Sequence, residues 1–104
     1  MLAEISARDW YKIEPLEYTA LLITSPFCQT CTLAEKMVEE AKNIEGRTNI
    51  YKLNLQLAPD FAYEYKIQSV PMLLLFHRQT LVARLSPIKH TGNILHFLTN
   101  NREE

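Results

Sequence analysis

The two cysteines of this chain, Cys28 and Cys31, lie three residues apart in the stretch SPFCQTC. A pair of thiols at this spacing can form a redox couple, supply half of a metal site, or simply pack in a core. In a reducing compartment, such a pair more often indicates catalysis or metal binding than a structural disulfide. The choice among these depends on the elements that hold the pair.

The cysteines fall where a buried strand is predicted to turn into a long helix. The preceding run YTALLITS is aliphatic and β-branched on both faces, which is typical of a strand buried on both sides. After Cys28, apolar residues recur at helical spacing as far as Ile44, while charged residues such as Glu35 occupy the other face. Gly46 stands where a left-handed helix cap is expected.

A thiol at Cys28 is therefore expected near a helix N-terminus. Unpaired backbone N–H groups and the helix macrodipole favour negative charge there. Such a position can lower the pKa of a thiol from about 8.5 to roughly 3.5–7.5. Cys31 shares the same helix face at about 5–6 Å between Cβ atoms, close enough for a disulfide after slight adjustment. In this hypothesis Cys28 attacks and Cys31 resolves.

Two other readings of the cysteines compete with the redox couple. A structural zinc site needs four ligands, and His77, His90 and His96 show no matching pair, so no metal site is predicted. Inert packing explains each thiol alone but not their joint placement at a helix start after a core strand. A CxxC beside a β-α-β pattern is a moderately specific sign of a thiol redox motif.

The remaining elements predict an α/β fold over residues 1–104 as a single domain. An edge strand is expected at residues 2–5, and Ser6 caps a short helix through ARDWYKIE that Pro15 closes. Later segments read, in order, as strand, helix, hairpin and closing helix: NIYKLNL, PDFAYEYK, PMLLLFH with TLVARLS, and the run from Thr91. This order predicts a central mixed β-sheet with helices on both faces.

Composition excludes several classes of function. The formal net charge is −1 with scattered basic residues, so nucleic acid is not an expected partner. The start MLAEISARDW leaves no room for a signal peptide, and no apolar run approaches the roughly 20 residues of a membrane helix. We therefore expect a cytoplasmic protein without membrane contact. The absence of a glycine-rich phosphate loop predicts no nucleotide cofactor, and no other cofactor is expected.

The chain resembles the thioredoxin family from about Tyr18 to Leu98. Three stretches in matching order carry the resemblance: ALLITSPFCQTC with its CQTC motif, YKLNL, and YKIQSVPMLLLF. The resemblance implies a thioredoxin fold. It also implies that Val70 precedes a cis-proline, Pro71, beside the cysteines, where a substrate segment could pair with the Val70 backbone by strand addition.

The resemblance also assigns roles to neighbouring positions. Phe27 replaces the family's tryptophan as an apolar rim for substrate docking, although it could equally be a core residue. Lys52 matches a lysine behind the family's active site that could influence the pKa of the thiols. The alternative is a lysine on a strand edge that points to water.

Several positions depart from the family pattern. Leu22 replaces a buried aspartate six residues before the first cysteine, so proton handling at Cys31 is expected to be slower or to use water or Lys52. Gln29 and Thr30 replace the common Gly-Pro pair between the cysteines, so the redox potential does not transfer. Pro87 replaces a glycine after the last strand.

The function expected from these observations is that of a thiol-disulfide oxidoreductase that reduces protein disulfides through Cys28 and Cys31. A reductase or a low-molecular-weight thiol would serve as its electron donor, and we expect it to act as a monomer. The alternative is a thioredoxin-like adaptor or redox-sensor module that keeps the fold and the groove but has weak or no turnover.

Overall fold

The structure, a computed structural model, describes residues 1–13 and 17–102. Its strands are β1 (Ala3–Glu4), β2 (Tyr18–Thr24), β3 (Asn49–Asn54), β4 (Met72–His77) and β5 (Thr80–Leu85). Its α-helices are α1 (Ala7–Trp10), α2 (Gln29–Glu45), α3 (Pro59–Glu64) and α4 (Thr91–Asn100), and a 3₁₀ turn spans Leu55–Leu57. The predicted order of elements is confirmed. No helix in these ranges combines the length and apolar character that a membrane crossing requires.

The strands of the described residues form a sheet in the order β1-β3-β2-β4-β5. Strand β3 runs parallel to both β1 and β2, whereas β4 is antiparallel to β2 and β5 is antiparallel to β4. Helix α2 makes the crossover between the parallel strands β2 and β3. The sheet is therefore mixed, as predicted, because a crossover unit joins a hairpin.

Strand β2 is buried on both faces, which confirms the reading of its apolar sequence. Side chains alternate between the faces of a strand, so neighbours enter different cores. Ala20 and Leu22 pack under α2 and α4, while Leu21 and Ile23 pack on the opposite side with Trp10. This central strand anchors the segment that leads to the cysteines.

The ends of the helices follow local rules. The Ser6 side chain accepts a hydrogen bond from the backbone N–H of Asp9, which confirms the predicted cap. Helix α1 ends at Trp10, earlier than predicted, because the Lys12 and Ile13 amides bond three residues back, Ile13 to Trp10, rather than four. The predicted stop at Pro15 lies outside the described residues. Gly46 ends α2 at φ 71°, as expected for a left-handed cap.

The hairpin between β4 and β5 turns tightly although it contains no glycine. Arg78 and Gln79 have positive φ values of 52° and 69°, the pattern of a type I′ turn, which asparagine and glycine usually occupy. The Gln79 side-chain amide donates to the carbonyl oxygen of Ile13 at 2.9 Å. This contact ties the turn to the segment that follows α1.

A buried ion pair links Arg102, at the end of the described residues, to Glu45 of α2. Arg102 Nη2 lies 3.0 Å from Glu45 Oε2, and both side chains are 5% exposed. The guanidinium also donates to Thr48 and lies 4.7 Å from the centre of the Tyr18 ring. The pKa of Glu45 is lowered. Burial alone would raise it, but hydrogen bonds from the Arg47 and Thr48 amides and the charge of Arg102 outweigh burial.

Candidate active site

Cys28 is the N-cap residue of α2, as the sequence predicted. Its backbone is extended, with φ −112° and ψ 107°, and the first helical residue is Gln29. The backbone N–H of Cys31 donates to Cys28 Sγ at 3.2 Å. The Cys28 sulfur therefore occupies the place of a capping oxygen, where an amide and the helix dipole both favour negative charge.

Cys28 and Cys31 form a disulfide, and their Cα atoms are 5.2 Å apart. The two residues differ in exposure, because Cys28 is partly exposed whereas Cys31, in the first turn of α2, is 4% exposed. An incoming polypeptide can therefore reach Cys28 more readily than Cys31. This asymmetry suits an attacking thiol at Cys28 and a resolving thiol at Cys31.

The surroundings of Cys28 are partly apolar. Phe27 is 86% exposed, so the alternative that it belongs to the core is wrong. On the other side, the carbonyl oxygen of Val70 lies 4.0 Å from Cys28 Sγ, and the Thr30 hydroxyl lies 3.3 Å from the same atom. The peptide bond between Val70 and Pro71 is cis, and β4 begins at the next residue. The structure thus places the Val70 backbone, followed by Pro71, beside the Cys28 sulfur, with Phe27 exposed at the position before Cys28.

Lys52 lies on β3, which pairs with β1 on one side and with β2 on the other. Its register partner on β2 is Leu22, so both side chains point toward α2. The Lys52 ammonium lies 3.2 and 3.1 Å from the two carboxylate oxygens of Glu35. The alternative of a strand-edge lysine pointing to water is wrong, since its side chain is 17% exposed.

Glu35 is the residue of this region that sequence reasoning missed. The helical pattern placed it on the charged, solvent-facing side of α2, yet its side chain is 16% exposed. The carboxylate accepts a hydrogen bond from the Leu2 backbone N–H at 3.2 Å as well as those from Lys52. The available signal was its spacing, because a residue four positions after Cys31 lies on the same helix face.

The two cysteines and the Glu35–Lys52 ion pair line one open cavity of about 300 Å³. Its lining also includes the loop before α2 and the chain start: Met1, Glu4, Thr24, Ser25, Pro26, Thr32 and Asn54. A water molecule occupies about 30 Å³ in the liquid, so the cavity has room for several. The disulfide therefore borders an open cavity that solvent can enter and that Glu35 and Lys52 also line.

The histidines lie apart from this cavity. His77 stacks on Tyr18, His90 caps α4, and His96 bonds to Asn100. In residues 1–13 and 17–102, no group of three His, Cys, Asp or Glu side chains is arranged to hold a metal ion.

A comparison with known families agrees with this geometry. The family model described as Thioredoxin matches residues 15–100. The chain belongs to the thioredoxin family. Among its thioredoxin relatives, a thioredoxin-like protein of Bacillus subtilis (strain 168), YusE, is 37% identical over 80% of this chain and 77% of its own length. The spinach chloroplastic M-type thioredoxin is 40% identical over 72% of this chain but only 44% of its own length.

Solved thioredoxin structures share the fold. Chloroplastic thioredoxin z superposes with a TM-score of 0.82 at 15% identity, covering 96% of this chain and 93% of that one. Thioredoxin-2 of a malaria parasite gives a TM-score of 0.72 at 19% identity over 79% of this chain and 81% of its own. The predicted thioredoxin fold is confirmed. Family membership and the paired cysteines together support a thiol-disulfide oxidoreductase function.

Proposed function

We propose that this thioredoxin-family protein reduces protein disulfides in the cytoplasm, acting as a monomer. The observation that carries the proposal is the pair of unequal sulfurs at the start of α2. Cys28 is partly exposed and its Sγ atom accepts a hydrogen bond from the Cys31 amide at 3.2 Å, while Cys31 is 4% exposed. An exposed thiolate with a neighbouring thiol is the arrangement that thiol-disulfide exchange requires.

The reaction has two steps. In the first, the Cys28 thiolate attacks one sulfur of a substrate disulfide, which forms a mixed disulfide and releases the other substrate sulfur as a thiolate. In the second, the Cys31 thiol loses its proton and attacks Cys28 Sγ. The bond from Cys28 to the substrate breaks, and the Cys28–Cys31 disulfide forms. The substrate gains two electrons, and the protein loses two.

The surface around Cys28 supports a polypeptide substrate. Phe27 offers an exposed apolar ring, and the backbone at Val70 lies beside the reactive sulfur just before β4 begins. An extended substrate segment could pair with that backbone and place its disulfide over Cys28. After turnover the protein is oxidised, so a reductase or a low-molecular-weight thiol must restore the dithiol.

An insulin reduction assay with a thiol donor tests the proposal. The wild-type protein should accelerate precipitation of the insulin B chain, and the Cys28→Ser variant should be inactive because it lacks the attacking sulfur. The Cys31→Ser variant should accumulate a mixed disulfide that mass spectrometry detects. Normal catalysis by either variant would contradict the assigned roles.

A second candidate function is a binding module with little turnover. The observation in its favour is Leu22, which is fully buried in the core beside Lys52 and brings no acid to that place. A binding module would capture its partner even after both cysteines are replaced by serine. Negligible insulin reduction by the wild-type protein would favour this candidate.

A further inference from the structure

The ion pair of Glu35 and Lys52 lines the same cavity as the disulfide. Both carboxylate oxygens of Glu35 are within 3.2 Å of Lys52 Nζ, and the Leu2 amide bonds to one of them. The side chains are 16% and 17% exposed, so the pair is partly desolvated. A largely buried carboxylate beside a reactive centre is an arrangement typical of acid–base chemistry.

Glu35 shares a helix face and a cavity with Cys31. The two residues are four positions apart on α2, which places their Cβ atoms about 5–6 Å apart on one helix face. Both line the same open cavity of about 300 Å³, which is large enough for a bridging water. A carboxylate oxygen can therefore accept a proton from the Cys31 sulfur directly or through one water molecule.

No other element supplies an acid in an equivalent place among the described residues that line the cavity. The only other carboxylate there belongs to Glu4, which is exposed at the surface end of β1. Strand β2 contributes the apolar Leu22 beside Lys52. The acid thus comes from the helix that carries the cysteines, and Lys52 fixes its position from the sheet.

We propose that Glu35 accepts the proton of the Cys31 thiol during the resolving step. This inference rests on the proposed reductase function. The Cys31 S–H bond breaks as its proton passes to a Glu35 carboxylate oxygen, and the thiolate then attacks Cys28 Sγ. The bond from Cys28 to the substrate breaks, and its sulfur leaves with the electron pair. The leaving thiolate takes a proton from water or from the Glu35 carboxylic acid.

The Glu35→Gln variant tests this role, with Glu40→Gln as the matched control. Glu40 is exposed on the same helix, so its replacement removes an equal charge away from the cavity. The reduced protein is mixed with glutathione disulfide, quenched with acid at set times, and analysed by mass spectrometry. Formation of the mixed disulfide reports the first step, and its decay to the internal disulfide reports the second.

We expect the Glu35→Gln variant to form the mixed disulfide at the wild-type rate. Its decay should be about 100-fold slower near neutral pH, since a positioned general base typically contributes at least this factor. The mixed disulfide should therefore accumulate. The Glu40→Gln control should match the wild type in both steps, and Glu35→Asp, which retains a carboxylate, should recover part of the second rate.

The pH profile separates proton transfer from a structural effect. At a pH above the thiol pKa, about 8.5 for a free cysteine, solvent removes the proton and the carboxylate is no longer needed. The difference between Glu35→Gln and the wild type in the rate of the second step should therefore shrink toward zero between about pH 6 and pH 10. Besides Glu35, the titratable residues lining the cavity are Met1, whose amine pairs with Glu39, then Glu4, Lys52 and the two cysteines, all of which the control retains.

Distinct outcomes overturn distinct claims. A deficit that stays constant with pH, a slower first step, or an unchanged second step in Glu35→Gln would overturn the role of Glu35. The wild-type protein would still complete both steps in each of those cases. A wild-type protein that formed no mixed disulfide at any pH would instead remove the proposed reductase function.

Discussion

The carbonyl oxygen of Val70 lies 4.0 Å from the Sγ atom of Cys28, although 42 positions separate the two residues in the chain. The antiparallel pairing of β2 with β4, which sets Ile23 opposite Met72, brings these ends together. Strand β2 ends at Thr24 and β4 begins at Met72, so Cys28 and Val70 both lie outside the sheet. A substrate segment can approach both at once.

The exposed ring of Phe27 is expected to contribute to the binding of polypeptide substrates. Replacing it with serine removes apolar contact area, and a loss of about 1.4 kcal/mol would lower kcat/KM for insulin about tenfold. The rate with glutathione disulfide should change little, because that small molecule covers less of the rim. Comparison of the two substrates in steady-state assays checks this.

The matched control for Phe27 is Tyr63→Ser. Tyr63 is 88% exposed on α3 and does not line the cavity that Cys28 lines. Its replacement should leave both rates unchanged. Equal losses with insulin and glutathione disulfide in Phe27→Ser would point to a disturbed cysteine loop rather than to lost docking area.

Reduced Cys28 is expected to be more acidic than a free cysteine. The helix N-terminus and the Cys31 amide should hold the pKa of its thiol below about 8.5. The Cys31→Ser variant leaves a single thiol, so its alkylation rate by iodoacetamide against pH reports Cys28 directly. A midpoint at or above the free-cysteine value would contradict the proposed thiolate.

Removal of Arg102 should destabilise the protein strongly. The Arg102→Met variant leaves the Glu45 carboxylate, only 5% exposed, without its cationic partner. Breaking one side of a buried pair costs about 3 kcal/mol or more. Urea unfolding followed by circular dichroism measures this loss. The control Arg84→Met, at an exposed site on β5, should change the free energy of unfolding by no more than about 0.5 kcal/mol.

The lowered pKa of Glu45 predicts a pH dependence of stability. Because the folded value lies below the ordinary value of 4.5, this carboxylate stabilises the protein above pH 4.5, and the contribution is lost as pH falls through the folded pKa. The free energy of unfolding should therefore fall more steeply below pH 4.5 in the wild type than in Glu45→Gln. Parallel pH curves for the two proteins would contradict this assignment.

Much of the fold could be predicted from the sequence because its signals are local. The two-sided apolar run of β2, the Ser6 cap and the Gly46 cap each depend on residues within one element, and the structure confirms them. The end of α1 could not be predicted, because it depends on hydrogen bonds in the following turn. The resemblance located Val70 and Pro71, which spacing alone would not have joined to the cysteines.

The sequence by itself determined the position of Cys28 at a helix start, with Cys31 on the same face, because chain spacing and helix geometry place them there. Only the tertiary structure decided the surroundings of Glu35. Its helical position predicted exposure, but the Glu35 carboxylate accepts hydrogen bonds from Lys52 of β3 and from the Leu2 amide. Burial of a charged side chain depends on partners from distant segments, and a periodic pattern within one helix carries no information about them.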